Sequence, residues 1–447
     1  MAFHRRLTDP LSRAMAGTVG TNLLLQAAIL VSGVLTARML GVEGRGYIVL
    51  LMLLPPALAV LAGLGLPLAV VFEISRSPES ARAILRTVGR LVVAQMGFVV
   101  LLHAGMLFIL LADAPGEARS AAAFSLATGP AIVAQHYALS MLQGQSDFRG
   151  FNLLRLLPFL VNSLAVAAAF VLGGDDLVLL VVVWTASYVL AAVLTVVWAW
   201  TRLPSRDERH FAPPLRELLR FGGKGLIGAA SPVETFRLDQ AIVGVFLSPA
   251  ALGLYAAGLA FTNLPRLVGL GVGAVAYPSV AARPELVPAR RAMWRFFALT
   301  LAASTVIALA LEPIAGWLVT FFFGAAFEDA IPITRILLIG APFLAARRVL
   351  TDASRGAGLP GMGSVSELAS WAVLVPAVVV GASLAGLTGV AWALVFSSAV
   401  SLAILVVAVL IASRRSIGRA ATGPGPPAAT PVAGTSAAQA AHEPGPA

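Results

Sequence analysis

Residues 177–200, LVLLVVVWTASYVLAAVLTVVWAW, carry no charged side chain. Crossing about 30 Å of hydrocarbon takes roughly 20 apolar residues as a helix, and this run has that length. A membrane-barrel strand would be half as long and would alternate polar with apolar, which this run does not do. Working outward, the same reading selects 14–37, 47–72, 91–111, 121–142 and 153–172 before it, and 222–247, 254–282, 294–311, 331–350, 365–384 and 390–412 after it. The chain therefore reads as an all-α integral membrane protein with twelve transmembrane helices.

Composition supports that reading. Of 447 residues 59% are apolar and 12% are charged, against about a quarter charged in a soluble domain. With a mean hydropathy of +0.90, too few polar side chains remain to cover a soluble surface, so the apolar excess faces lipid. The formal charge of +10 does not require nucleic acid as a partner. Lys224 is the only lysine, and the arginine excess reads as a habit of the source composition. The absence of cysteine excludes disulfide frameworks, thiolate metal sites and cysteine nucleophiles.

Short cytoplasmic loops collect Lys and Arg. With both termini inside, all but six of the thirty-one Lys and Arg fall in cytoplasmic segments, including Arg347, Arg348 and Arg355. Arg38, Arg45 and Arg119 fall in outer loops, and Arg237, Arg266 and Arg335 within spans. The first run is too long for a signal-peptide core of about 7 to 15 residues, so it reads as a retained helix. The expected organisation is a cytoplasmic N-terminus (1–13), a six-helix bundle (14–200), a cytoplasmic linker (201–217, TRLPSRDERHFAPPLRE), a second six-helix bundle (218–412) and a disordered cytoplasmic tail (413–447) rich in Pro, Gly and Ala. A shift of 207 positions lays Leu40-Gly41-Val42-Glu43-Gly44-Arg45-Gly46 over Leu247-Ser248-Pro249-Ala250-Ala251-Leu252-Gly253, as two parallel repeats around a central cleft would.

No metal-ligand spacing, nucleophile elbow or phosphate loop points to an enzyme or to a metal. His103 and His136 sit singly inside helices and read as packing. The seventh helix differs, because Pro232-Val233-Glu234-Thr235-Phe236-Arg237-Leu238-Asp239-Gln240 sets three charges near the bilayer middle. Each would cost about 2.5 to 3.5 kcal/mol facing lipid, so they face protein or water. At about 100° per residue Glu234 and Arg237 share a face and can pair, whereas Asp239 points roughly 160° from Arg237. Arg266, at similar depth in the eighth helix, is a candidate partner of Asp239 or its neighbour across the cleft. Paired ions fixing helix register and a charged cavity for an anionic substrate both remain open here. Pro55, Pro56, Pro67, Gly222, Gly223, Gly225, Gly228, Pro232, Pro265 and Pro278 interrupt helices two, seven and eight, and freed backbone groups need protein or water beside them.

Three stretches carry a resemblance. They are Thr36-Ala37-Arg38-Met39-Leu40-Gly41 through Gly46-Tyr47, then Arg237-Leu238-Asp239-Gln240 with Leu252-Gly253-Leu254-Tyr255-Ala256-Ala257, and Phe323-Gly324 through Phe327-Glu328-Asp329-Ala330. Over residues 14–412 the sequence resembles the polysaccharide biosynthesis or O-antigen flippase family, in the superfamily that also contains MATE multidrug antiporters. The resemblance implies a multi-pass inner-membrane transporter that flips a polyprenyl-diphosphate-linked oligosaccharide from the cytoplasmic to the outer leaflet. It implies Arg237 and Arg266 near the diphosphate, Arg38 at the outer mouth, and Asp239 or Glu234 for coupling to a proton or sodium ion, with no other cofactor. Expected partners are the lipid-linked oligosaccharide, membrane lipids, a glycan polymerase and glycosyltransferases.

The nearest rival is a MATE-type cation-coupled drug antiporter, but helix one offers Asn22 and Gln26 and no acid. A major-facilitator carrier would show Gly-x-x-x-Asp-x-x-Gly-Arg after helix two, where this chain has Glu73-Ile74-Ser75-Arg76-Ser77-Pro78-Glu79. A lipid II flippase would be expected to have fourteen spans. A non-transporting scaffold for a glycan-synthesis complex is the rival from outside the transporters.

Overall fold

The structure, a computed structural model, describes residues 10–203, 213–283, 285–359 and 361–422. Every described element is an α- or 3₁₀-helix, and there is no strand among the described residues. In order the α-helices are α1 (Pro10–Gly63), α2 (Leu66–Arg76), α3 (Ala81–Leu110), α4 (Gly116–Ser125), α5 (Thr128–Gly144), α6 (Phe148–Val171) and α7 (Leu177–Thr201). The second half adds α8 (Leu215–Ala229), α9 (Leu238–Phe246), α10 (Pro249–Ala281), α11 (Leu286–Leu311), α12 (Ala315–Phe323), α13 (Ala330–Gly356) and α14 (Met362–Thr422). Helices satisfy their own backbone in hydrocarbon, which is why apolar runs of this length take no other form there.

The twelve apolar stretches are largely helical, but they do not form twelve separate rods. Eight helices are long and apolar enough to cross a membrane among the described residues, and two of these, at 44 and 52 residues, each join two of the stretches. α1 bends at Gly41, whose φ of 69° is left-handed and favours a residue without Cβ. α14 bends at Ala385 and Gly386. Thus the expected outer loop from Arg38 to Arg45 is helical except at Gly41. The second, fourth and seventh stretches are each split, at Leu64-Gly65, at Leu126-Ala127 and across 230–237. The expected linker 201–217 has residues 204–212 outside the described set, and its last residues already belong to α8. Residues 413–422 of the expected disordered tail instead continue α14 as helix, and residues 10–13 of the expected N-terminal segment begin α1; residues 1–9 and those beyond 422 lie outside the described set.

The first half gathers α1 to α7 around a core containing Ile48, Leu51, Ile84, Leu142 and Leu180, all buried. In the second half α10 packs along α13 and α11. A side chain at Gly269 would meet the backbone of Ala345 at 2.9 Å, so the absence of one lets α10 and α13 approach closely. The halves meet chiefly where α10 crosses α1. There a methyl group at Gly46 would overlap the carbonyl oxygen of Pro249, and one at Gly253 that of Val42. This crossing, with the smaller cluster formed by Ala37, Ala257, Phe261 and Val319, closes one end of the space between the halves.

Candidate functional site

The seventh stretch breaks because its backbone has better partners than its own helix. The carbonyl of Ala230, freed by the break, accepts the indole N–H of Trp371 at 2.7 Å. Arg347 of α13 reaches Ser231 at 3.5 Å and pairs with Glu367 at 3.2 Å, while the Phe236 ring meets Trp371 edge-on at 5.5 Å. Arg237 then starts α9 from a left-handed conformation (φ 46°, ψ 46°), a strained place for an arginine.

This break undoes the expected pairing. Glu234 and Arg237 share a face only in a continuous helix, and here Glu234 turns to two other arginines. Its Oε2 lies 2.8 Å from Arg348 of α13, and its Oε1 lies 3.5 Å from Arg266 of α10. Arg266 is therefore tied to Glu234 and not to Asp239. Asp239, 1% exposed, accepts the hydroxyl of the fully buried Tyr255 at 3.0 Å, while its Oδ1 has no hydrogen-bond donor among the described residues. The Arg237 side chain is exposed and has no hydrogen bond or ion pair among the described residues. It lies within electrostatic reach of Tyr188, Asp239, Arg266 and Arg45.

Around Glu234 a cavity of about 360 Å³ is lined by Gln26 of α1, Asn263 and Arg266 of α10, and Leu344 and Arg348 of α13. It adjoins a second of about 530 Å³, lined by Asn22, Gly273, Tyr277, Asp352 and Arg355, with Leu270 and Arg348 shared by both. Together they form a cleft along α10 from Asn263 to Tyr277, roughly 20 Å at about 1.5 Å per residue. The cleft leads toward the end where α1 begins and α7 finishes, and there Arg155 of α6 donates to Asn22 at 2.6 Å.

Three arginines line this cleft against two acids; Arg237, within electrostatic reach of Arg266, and Arg45, within reach of Arg237, lie outside its lining. Sequence reasoning missed Arg45, placed in an outer loop because hydropathy shows no depth for a residue between two runs. In the structure it folds back along α1 to donate to Thr36 at 2.9 Å, against Gly33. It also counted Arg347 and Arg348 as loop charges, although both sit within α13, Arg347 buried against Glu367 and Arg348 in the cleft. Arg38 lies apart, donating to the carbonyls of Phe321 and Phe322 at the last turn of α12. That ties the closed ends of the halves together and complements the negative helix end.

The polysaccharide biosynthesis protein model matches residues 15–282, more than half of the chain. The chain belongs to that family. A comparison with curated protein sequences gives no significant match. Among solved structures, an inward-facing multidrug resistance MATE transporter of the MOP superfamily superposes with a TM-score of 0.67 at 18% identity, covering 90% of this chain and 96% of the other. The lipid II flippase MurJ in an inward closed conformation gives 0.67 at 12% identity, covering 90% and 89%. A MOP-superfamily transporter from Pyrococcus furiosus gives 0.58 at 17%, covering 91% and 95%. At these identities the likeness shows the fold, and this polysaccharide biosynthesis protein is a multi-pass membrane protein of the MOP transporter architecture.

Proposed function

We propose that the protein flips a polyprenyl-diphosphate-linked oligosaccharide from the cytoplasmic to the outer leaflet of the inner membrane. The observation that carries this reading is the cleft between the halves, where Arg266, Arg348 and Arg355 outnumber Glu234 and Asp352 and lead to Arg237 and Arg45. A diphosphate with sugars attached cannot cross hydrocarbon unaided, since an unpaired charge there costs tens of kcal/mol on the Born estimate. Water and guanidinium groups along a cleft roughly 20 Å long lower that barrier. A cationic drug would meet a net repulsive lining in the same place, which weighs against the antiporter reading.

In this reading the helices make twelve crossings with both termini in the cytoplasm, and the wide end of the cleft opens inward. Arg266 and Arg348 take the diphosphate first, and Arg237 takes it deeper. The polyprenyl tail stays in the lipid beside the halves. With the inside negative, each anionic charge moved outward gains about 2.3 kcal/mol per 100 mV, so the field itself favours export. Asp239, with one buried oxygen unserved by a donor, is the candidate site for a proton or sodium ion that resets the carrier. No covalent chemistry and no other cofactor are required, and the partners are the enzymes that build and polymerise the glycan.

The test is complementation of a flippase-deficient strain. Arg237→Ala is expected to abolish surface glycan at normal protein abundance, and full complementation by that variant removes Arg237 from the route.

A further inference from the structure

Glu234 reaches both arginines with one carboxylate. One oxygen serves α13 through Arg348 at 2.8 Å and the other serves α10 through Arg266 at 3.5 Å. The three side chains are 28%, 42% and 24% exposed, so the cluster is wetted by the cleft. An ion pair sealed from water is expensive to open, whereas a wetted one exchanges its partners readily. Glu234 also sits on the non-helical segment 230–237, whose anchors are at Ala230, Ser231 and Phe236. Its side chain can therefore leave the arginines without loosening the hold of Trp371 and Arg347 on that segment.

We propose that Glu234 is a built-in counter-anion, occupying the place between Arg266 and Arg348 that a diphosphate group takes by displacing it. The inference rests on the cleft being the path of an anionic headgroup, and it assigns selectivity to that path. A diphosphate brings more charge and more acceptor oxygens than a carboxylate and can satisfy both guanidinium groups at once. A single phosphate, free or on an ordinary membrane lipid, matches the carboxylate more nearly and gains little by replacing it. Glu234 thus keeps the abundant monophosphate headgroups out of the cleft. Once displaced, it has a partner three residues away in Arg237, on the face they would share if the break rewound. Loading thereby cuts the tie that runs through Glu234 to Arg266 of α10 and Arg348 of α13, and leaves the contact of Arg347 with Ser231 in place.

The experiment measures binding to the full chain in detergent micelles, using inorganic pyrophosphate, farnesyl diphosphate, inorganic phosphate and phosphatidylglycerol as probes. Glu234→Gln is expected to bind both diphosphates about tenfold more tightly than wild type and to gain measurable binding of the two monophosphates. Glu234→Asp, which keeps the charge on a shorter arm, is expected to fall between them, and it carries the test if the amide variant does not stay monodisperse. A gain confined to farnesyl diphosphate identifies a lipid headgroup as the ligand, and an equal gain with pyrophosphate shows that the diphosphate alone suffices. Unchanged or weaker binding by both Glu234 variants, with binding lost in Arg348→Ala, overturns the counter-anion role while leaving the cleft an anion site. If no form binds either diphosphate, the anionic-cargo reading falls and takes this inference with it.

Discussion

Gly46 and Gly253 hold equivalent places in the two halves, each with the space of its missing side chain filled by a carbonyl oxygen from the other half, that of Pro249 and of Val42 respectively. The same shift of 207 positions read from the sequence carries Val42 onto Pro249 and Gly46 onto Gly253, so the contact is reciprocal, as at a two-fold axis. Only backbone lies in the way, and backbone does not rotate aside as a side chain would.

Gly46→Ala and Gly253→Ala are therefore expected to destabilise the protein similarly, by about 1–3 kcal/mol each, as overpacking does. Thermal unfolding in detergent checks this. Gly17→Ala, where an added methyl group meets nothing within 4 Å, is the control and is expected to be at least as stable as wild type, since alanine favours a helix over glycine.

The buried pair behind the break gives a second expectation. Arg347, 4% exposed, pairs with Glu367, 16% exposed, and approaches Ser231 and Ser366. Arg347→Ala leaves that carboxylate without its cation and should cost about 3–5 kcal/mol. Replacing both residues with methionine should recover much of the loss, since the penalty comes from the stranded charge. Folded yield and unfolding temperature of the two variants, beside wild type, decide it.

Asp147 precedes α6 outside the spans and accepts from the Gly150 N–H at 3.0 Å and the Trp198 indole at 3.1 Å, with Arg202 at 3.7 Å. Burial works to raise its pKa, but these donors, with Arg202 and Arg149, outweigh it and hold the carboxyl below its ordinary value. A depressed carboxyl contributes stability above its unfolded-state pKa and loses it as pH falls through the folded-state value. Asp147→Ala should thus cost about 1 kcal/mol at neutral pH. The gap to wild type should close on acidification through the carboxylate range, as thermal melts across pH would show.

How much of this was legible in the sequence follows from what hydropathy measures. Apolar length located every stretch, because desolvating twenty residues outweighs local preference. It could not tell a bend from a loop, so Gly41 and Gly386 appeared as connections. Nor could it give depth to a charge at the edge of a run, which misplaced Arg45, Arg347 and Arg348. The charges of 232–240 were read as facing protein or water because lipid does not tolerate them, and here Asp239 is buried against Tyr255 while Glu234 lies in the cleft. Their partners were not readable, because helical angles fail where a helix stops, and what stops it is Trp371, more than a hundred residues away.

The absence of cysteine allows the wetted cleft to be mapped one residue at a time. Asn263→Cys, in the cleft, should react with a membrane-impermeant thiol reagent from the side on which α1 begins. Val88→Cys, in the fully buried core of α3, should stay unlabelled. Equal reactivity at the two positions would mean that the interior is not partitioned as described.

The central claim is that the arginine-lined cleft carries an anionic lipid-linked glycan. The most direct measurement is translocation of a fluorescent polyprenyl-diphosphate oligosaccharide in vesicles containing only this protein. The account predicts transfer between leaflets well above that in empty vesicles, lost when Arg266 and Arg348 are both replaced by alanine. Transfer no faster than in empty vesicles, or unchanged by that double replacement, would contradict it.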